Sequence, residues 1–174
     1  EKDYEYLLNK YSNTKIDIKS KIKFVCFDLD GVFTDGKIYV DEYKHLKCYN
    51  GKDSYGLKLL KDKNIKNGLI TAHETPLLKN MEHIISRMDY LSSGNYNKKE
   101  ILDQWKEKLN IDYNEIAYIG DDLPDKEILQ LVGFSACPND AHQSIKDIVK
   151  FICSKNGGNG AVREFIDYIL ENLL

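Results

Sequence analysis

The sequence predicts an α/β domain in which helices cover both faces of a parallel sheet, and three observations predict it. Short apolar runs alternate with helix-length amphipathic segments from residue 21 onward. The first run, FVCF at 24–27, carries no polar residue and reads as a short buried strand. Side chains suited to chemistry then collect where apolar runs stop: Asp28 and Asp30, Thr71, Asp121 and Asp122. Parallel sheets bind ligands at the carboxyl ends of their strands, so these residues are expected along one edge. The 174 residues suffice for one domain with a sizeable core.

The elements follow in order. After the first strand, residues 37–49 (KIYVDEYKHLKCY) form a projecting hairpin, because Ile38 and Val40 alternate with polar neighbours around a polar turn. Residues 53–64 place Leu57, Leu59 and Leu60 on a short amphipathic helix. KNGLIT (66–71) is the next strand, and TPLLKNMEHIISRM (75–88) a helix that accepts Pro76 in its first turn. MDYLSS (88–93) is a third strand. Asn97 then caps a helix over NKKEILDQWKEKLN (97–110), with Glu100 three residues on. NEIAYIG (114–120) is the fourth strand and DKEILQLV (125–132) its helix. GFSACP (133–138), DIVKFIC (147–153) and a final helix over 161–174 complete the chain.

Composition excludes several classes. A net charge of −3 gives no reason to expect nucleic acid or an anionic membrane as partner. The apolar runs are strand-sized, too short to span a bilayer. Residues 1–20 read as a polar extension, with helix around 4–8, and 21–174 as the domain. That extension is charged and lacks the apolar core of a signal peptide, while a first residue other than methionine leaves room for a longer parent chain. Cys26, Cys48, Cys137 and Cys153 are widely spaced without a C-x-x-C, and three of them lie in apolar runs. Buried thiols in a reducing cytoplasm are the expectation.

The carboxylates raise the chemical question. Asp28 and Asp30, two apart, face the same way in extended chain, and Gly31 permits a sharp turn. Asp-Gly is also ordinary turn chemistry. A calcium loop counted from Asp28 fails, since Phe33 and Tyr39 stand where its glycine and final glutamate belong. The fourth strand ends the same way, in Asp121 and Asp122, with Asp125 near the next helix, where aspartate is also a favoured cap. If both strand ends share an edge, Asp28 and Asp121 could share a hard cation such as Mg2+, which keeps waters for a substrate phosphate. Thr71 leaves a hydroxyl at a third strand end. Lys98 sits in a helix's first turn, where the helix dipole disfavours a cation by about 0.3–1 kcal/mol, so a nearby anion is expected beside the alternative of a solvated lysine. Together these residues suit phosphoryl transfer.

In order, DLDGVFTDG (28–36), Thr71, Lys98 and GDDLPD (120–125) resemble the four motifs of the haloacid dehalogenase superfamily phosphatases. The resemblance runs from residue 21 to the C-terminus and implies a Rossmann-like fold. It implies that Asp28 is the nucleophile and that Asp30 protonates the leaving alkoxide and then activates water. It implies Mg2+ held by Asp28, the Asp30 carbonyl and Asp121, with Asp122 and Asp125 behind them or capping. Thr71 and Lys98 would bind phosphoryl oxygens. The gap from Asp30 to Thr71 holds a hairpin and one helix, and that from Thr71 to Lys98 one helix and one strand, so neither holds a cap domain.

Residues 34–56 and the tail NGGNGAVREF resemble a capless branch that dephosphorylates 2-keto-3-deoxy sugar acid phosphates, among them octulosonate 8-phosphate and nine-carbon, sialic-acid-type 9-phosphates. In that branch four chains assemble through their hairpins. The resemblance implies that Asn50, Gly51, Lys52, Asp53, Ser54 and Lys58 line the sugar-acid site, and that the tail 157–164 helps complete it. Gly157, Gly158 and Gly160 allow close backbone approach before a helix, where Arg163 could pair with a carboxylate or simply lie exposed.

The chain departs from the octulosonate pattern. Ala72 and His73 stand where glycine and arginine are expected, neither Met81 nor Glu82 supplies a further arginine, and Asp53-Ser54 replaces Asp-Gly. These differences tip the expectation towards a nine-carbon 9-phosphate, with His73 a possible substrate contact. His45, His83 and His142 are expected on the surface or in packing. The other class of reading is a non-catalytic assembly domain of a CMP-sialate synthase-type protein.

Overall fold

The computed structural model describes residues 21–40, 45–74, 78 and 81–174. The extension 1–20, the hairpin tip 41–44 and most of the first half of the expected helix 75–88 lie outside these residues. In chain order the elements are β1 (Phe24–Phe27), β2 (Tyr39–Val40), β3 (His45–Leu46), α1 (Gly51–Asp62), β4 (Lys66–Thr71), α2 (Glu82–Ile85) and β5 (Tyr90–Ser93). There follow α3 (Lys98–Leu109), β6 (Ile116–Ile119), α4 (Lys126–Leu131), β7 (Phe134–Cys137), α5 (Gln143–Lys146), β8 (Phe151–Ile152) and α6 (Ala161–Asn172).

Six strands pair in parallel in the order β5-β4-β1-β6-β7-β8, so β1 lies between β4 and β6. β2 and β3 form a separate antiparallel pair, the hairpin expected at 37–49. Among the described residues the segments between strands hold that hairpin and single helices, and no cap domain.

The period-2 geometry of a strand explains why FVCF contains no polar residue. Val25 and Phe27 join a core with α1 and α6, whereas Phe24 and Cys26 join the opposite core with α3, α4 and α5. β6 divides the same way, Ala117 and Ile119 to one side, Ile116 and Tyr118 to the other. Every side chain of β1 is therefore fully buried. The α6 side is rich in aromatics: Phe134 stacks on Phe165 at 5.6 Å and on Tyr168 at 5.3 Å.

Local signals set the helix starts. Asn97 accepts from the Glu100 N–H and returns its amide to the Glu100 carboxylate, capping α3 as its sequence indicates. The helix expected at 75–88 is realised among the described residues only as the single turn α2. The short α5, capped by His142, had no periodic signal in the sequence.

Candidate active site

β1 ends at Phe27, and strand parity turns the next side chain, Asp28, to the face that carries α3. The chain then leaves extended geometry at once. The N–H groups of Val32, Phe33 and Thr34 all donate to the Leu29 carbonyl. This tight turn corrects the expectation that Asp28 and Asp30 point the same way, which holds only for a continuing strand. Asp28 is buried against α3, while Asp30 accepts from the Thr34 hydroxyl at 3.3 Å and from Lys47 Nζ at 2.5 Å. Gly31, with φ of +80°, is required twice over, since a Cβ there would lie 2.0 Å from Asp121 Oδ2.

Lys98 is the centre of the cluster. Only 3% exposed, its Nζ lies 2.7 Å from Asp28 Oδ1 and 2.7 Å from Asp125 Oδ1. The anion expected beside this first-turn lysine is therefore a pair of buried carboxylates. Asp125 is the anchor of the group. Its Oδ1 accepts from Lys98 and from the buried Tyr118 hydroxyl at 2.6 Å, and its Oδ2 from the Asp121 and Asp122 N–H groups. Tyr118 came without a sequence signal other than its place in an apolar strand.

The electrostatics follow. Burial and the neighbouring Asp125 push the Asp28 carboxyl well above the usual carboxylate range, against the pull of Lys98. Burial and Asp125 raise Asp121 to about 7. Burial alone would depress Lys98, but Asp28 and Asp125 outweigh it and hold its ammonium above the ordinary value. One ammonium thus leaves negative charge uncompensated.

Asp28, Asp121 and Asp125 each offer a carboxylate oxygen within 4.8 Å of the others. An all-oxygen set of this kind fits a hard divalent cation. Both Asp125 oxygens already accept two hydrogen bonds, so Asp28 and Asp121 are the groups with capacity to ligate. Thr71 ends β4, buried at the same carboxyl edge on the other side of β1.

A model of the haloacid dehalogenase-like hydrolases matches residues 19–166. The chain belongs to that family. The curated relatives include the 3-deoxy-D-manno-octulosonate 8-phosphate phosphatase of Escherichia coli K12, 32% identical over 92% of this chain and 87% of that protein. The Yersinia pestis phosphatase of the same name superposes with a TM-score of 0.84 at 31% identity, covering 91% of this chain and 85% of that one. The Moraxella catarrhalis phosphatase, solved with a magnesium ion, phosphate and KDO, gives 0.81 at 30% identity, covering 87% of each. This haloacid dehalogenase-like hydrolase is thus a phosphatase with the Rossmann-like fold of its relatives.

The residues carried over from the branch resemblance fall apart into two groups. Asn50 caps α1 by accepting from the Lys52 N–H, and Gly51 and Lys52 are exposed. Asp53 departs from its expected role as a sugar contact: it is fully buried, with Oδ1 accepting from the Arg163 N–H at 2.8 Å. Its other oxygen has no partner among the described residues, and burial raises the group to about 6. Ser54 is buried too and donates to the His83 carbonyl. Lys58 is exposed, paired with Asp62 at 2.7 Å, and Arg163 is paired with Asp167 over the Tyr55 ring. Lys52 and Arg163 share a groove of about 510 Å³ with Lys155 and Asn159. His73 is exposed beyond Thr71, with its ring edge-on to Tyr96 at 5.7 Å.

Proposed function

We propose that this phosphatase hydrolyses a 2-keto-3-deoxy sugar acid phosphate, with 3-deoxy-D-manno-octulosonate 8-phosphate as its substrate and Mg2+ as its cofactor. The observation that carries the chemistry is Lys98 bound between Asp28 and Asp125 at the sheet edge, with Asp121 alongside. The substrate rests on the relatives, which are phosphatases of that octulosonate. It replaces the nine-carbon preference that Ala72, His73 and Asp53-Ser54 suggested, because the relatives match over most of the chain.

In the mechanism, the Asp28 carboxylate attacks phosphorus, and a bond to oxygen forms as the ester P–O bond breaks. Asp30 gives its proton to the leaving oxygen. It then takes one from the water that attacks the aspartyl-phosphate, releasing phosphate and restoring Asp28. Lys98 and the Thr71 hydroxyl donate to phosphoryl oxygens. When bound, Mg2+ held by Asp28, the Asp30 carbonyl and Asp121 neutralises charge that one lysine cannot.

A homotetramer in a reducing cytoplasm belongs to the same proposal. Ile38, Tyr39, Val40 and Leu46 are exposed on the hairpin, and all four cysteines are free. No helix among the described residues is long and apolar enough to cross a membrane.

The test is phosphate release from octulosonate 8-phosphate, nine-carbon 9-phosphates and p-nitrophenyl phosphate, with Mg2+ and with chelator. Mg2+-dependent release favouring the octulosonate is expected, and Asp28→Asn should abolish it without unfolding the chain. Preference for a nine-carbon substrate would move the assignment to that acid. A folded chain inert towards every phosphate would favour the assembly domain.

A further inference from the structure

The acid–base carboxylate is held from an unexpected direction. Both donors to Asp30, the Thr34 hydroxyl and Lys47 Nζ, reach the same oxygen, Oδ1. Oδ2 accepts no hydrogen bond from a side chain or backbone group among the described residues. Lys47 lies just after β3, where the hairpin returns to the domain, and its side chain is only 12% exposed. Most of that side chain is therefore covered, although surface lysines normally extend into water. Among the described residues its carboxylate partner is Asp30, and holding a long lysine side chain in one covered geometry costs rotamer freedom that the pair must offset.

The hairpin base is also fixed to the Asp30 turn by backbone. Thr34 bridges to Tyr49, and the Asp35 N–H donates to the Cys48 carbonyl at 3.2 Å. Lys47 is thus delivered to Asp30 by a rigid strand ending rather than by a wandering side chain. Fixing Oδ1 selects one carboxylate rotamer and leaves Oδ2 as the oxygen that exchanges the proton.

We propose that Lys47 is a positioning residue: it holds Asp30 by Oδ1 so that Oδ2 protonates the leaving oxygen and later deprotonates water. This rests on the phosphatase reading above.

The test separates positioning from simple structural support. The ratio kcat/KM reports only steps up to formation of the aspartyl-phosphate, where the leaving oxygen takes its proton. A series of phosphate monoesters from p-nitrophenyl to alkyl varies how much that proton is needed. Lys47→Met is expected to lower kcat/KM about tenfold or more for alkyl esters but under about threefold for p-nitrophenyl phosphate, steepening the leaving-group dependence. Lys47→Arg, which keeps the ion pair, should recover most of the alkyl rate. Melting temperature and sedimentation establish that each variant is folded, and Lys47→Gln takes the place of Lys47→Met in the series should that variant unfold. An equal fall across all esters, or no fall, would overturn the proposal. Wild-type protein inert towards the whole series would instead overturn the phosphatase reading.

Discussion

Lys98 pairs with two carboxylates through one ammonium, and its burial makes that pairing consequential. Lys98→Met would leave Asp28 and Asp125 buried without a cation, a change that typically costs about 3–5 kcal/mol when one partner of a buried pair is removed. We expect a variant without measurable turnover and with a lower melting temperature in chelator. Added Mg2+ should recover more stability in the variant than in the wild type, because the ion replaces charge the lysine supplied. Equal stabilisation of both proteins would separate the lysine from the metal site. At this scale Asp28, Thr71, Lys98 and Asp121 were legible because each ends an apolar run or opens a helix. Asp125 was legible only as a cap or as a group behind the metal ligands, and Lys47 not at all. Their defining partners lie 27 and 17 residues away, beyond any local pattern.

The pair α1 and α6 shows how elements share such debts. A Cβ on Gly56 would meet Ile166 Cδ1 at 2.9 Å, so the two helices approach through that glycine. Gly160, at the cap position before α6, has no side chain to cap it, and Asp53 from α1 supplies the missing acceptor to the Arg163 N–H. The cap therefore crosses 110 residues, which is why helix signals located both helices but not this contact, and the branch resemblance placed Asp53 at the substrate instead. Burial raises Asp53 to about 6 from its ordinary 3.8. A raised acid binds its proton more tightly folded than unfolded, so its stabilisation is complete below the unfolded value and is lost as pH rises through about 6. Asp53→Asn keeps the acceptor and removes the titration. Relative to wild type, the variant should gain on the order of 2 kcal/mol between pH 4.5 and 7.5 in denaturant unfolding. A pH-independent difference would mean that Asp53 keeps an ordinary acidity. The sheet itself was read correctly because uninterrupted apolar runs have few alternatives, whereas the helix at 75–88 has weaker punctuation and yields only Glu82–Ile85 among the described residues.

At the scale of the molecule, the feature that a single chain leaves unsatisfied is the hairpin. Two-stranded hairpins are marginal in water, yet here Ile38, Tyr39, Val40 and Leu46 are 61%, 52%, 67% and 57% exposed. Apolar residues so concentrated on one projection mark an interaction surface. No cap fits between Asp30 and Thr71 or between Thr71 and Lys98, so the segment lengths lead to the expectation that another chain closes the site or that the substrate is large. In the homotetramer proposed above, that surface is buried against other copies. The hairpin's base reaches Asp30 through Lys47 and through the Thr34–Tyr49 bridge, so fixing the hairpin also fixes the proposed acid–base group. Val40→Asp puts a charge into the proposed contact while leaving every site residue in place. We expect it to sediment as a monomer, with the helical and sheet content of the wild type and a much lower kcat on sugar acid phosphate. Its loss on p-nitrophenyl phosphate should be smaller, because that leaving group depends less on Asp30. A variant that remains tetrameric would remove the hairpin from the interface, and a fully active monomer would show that one chain orders its own acid–base group.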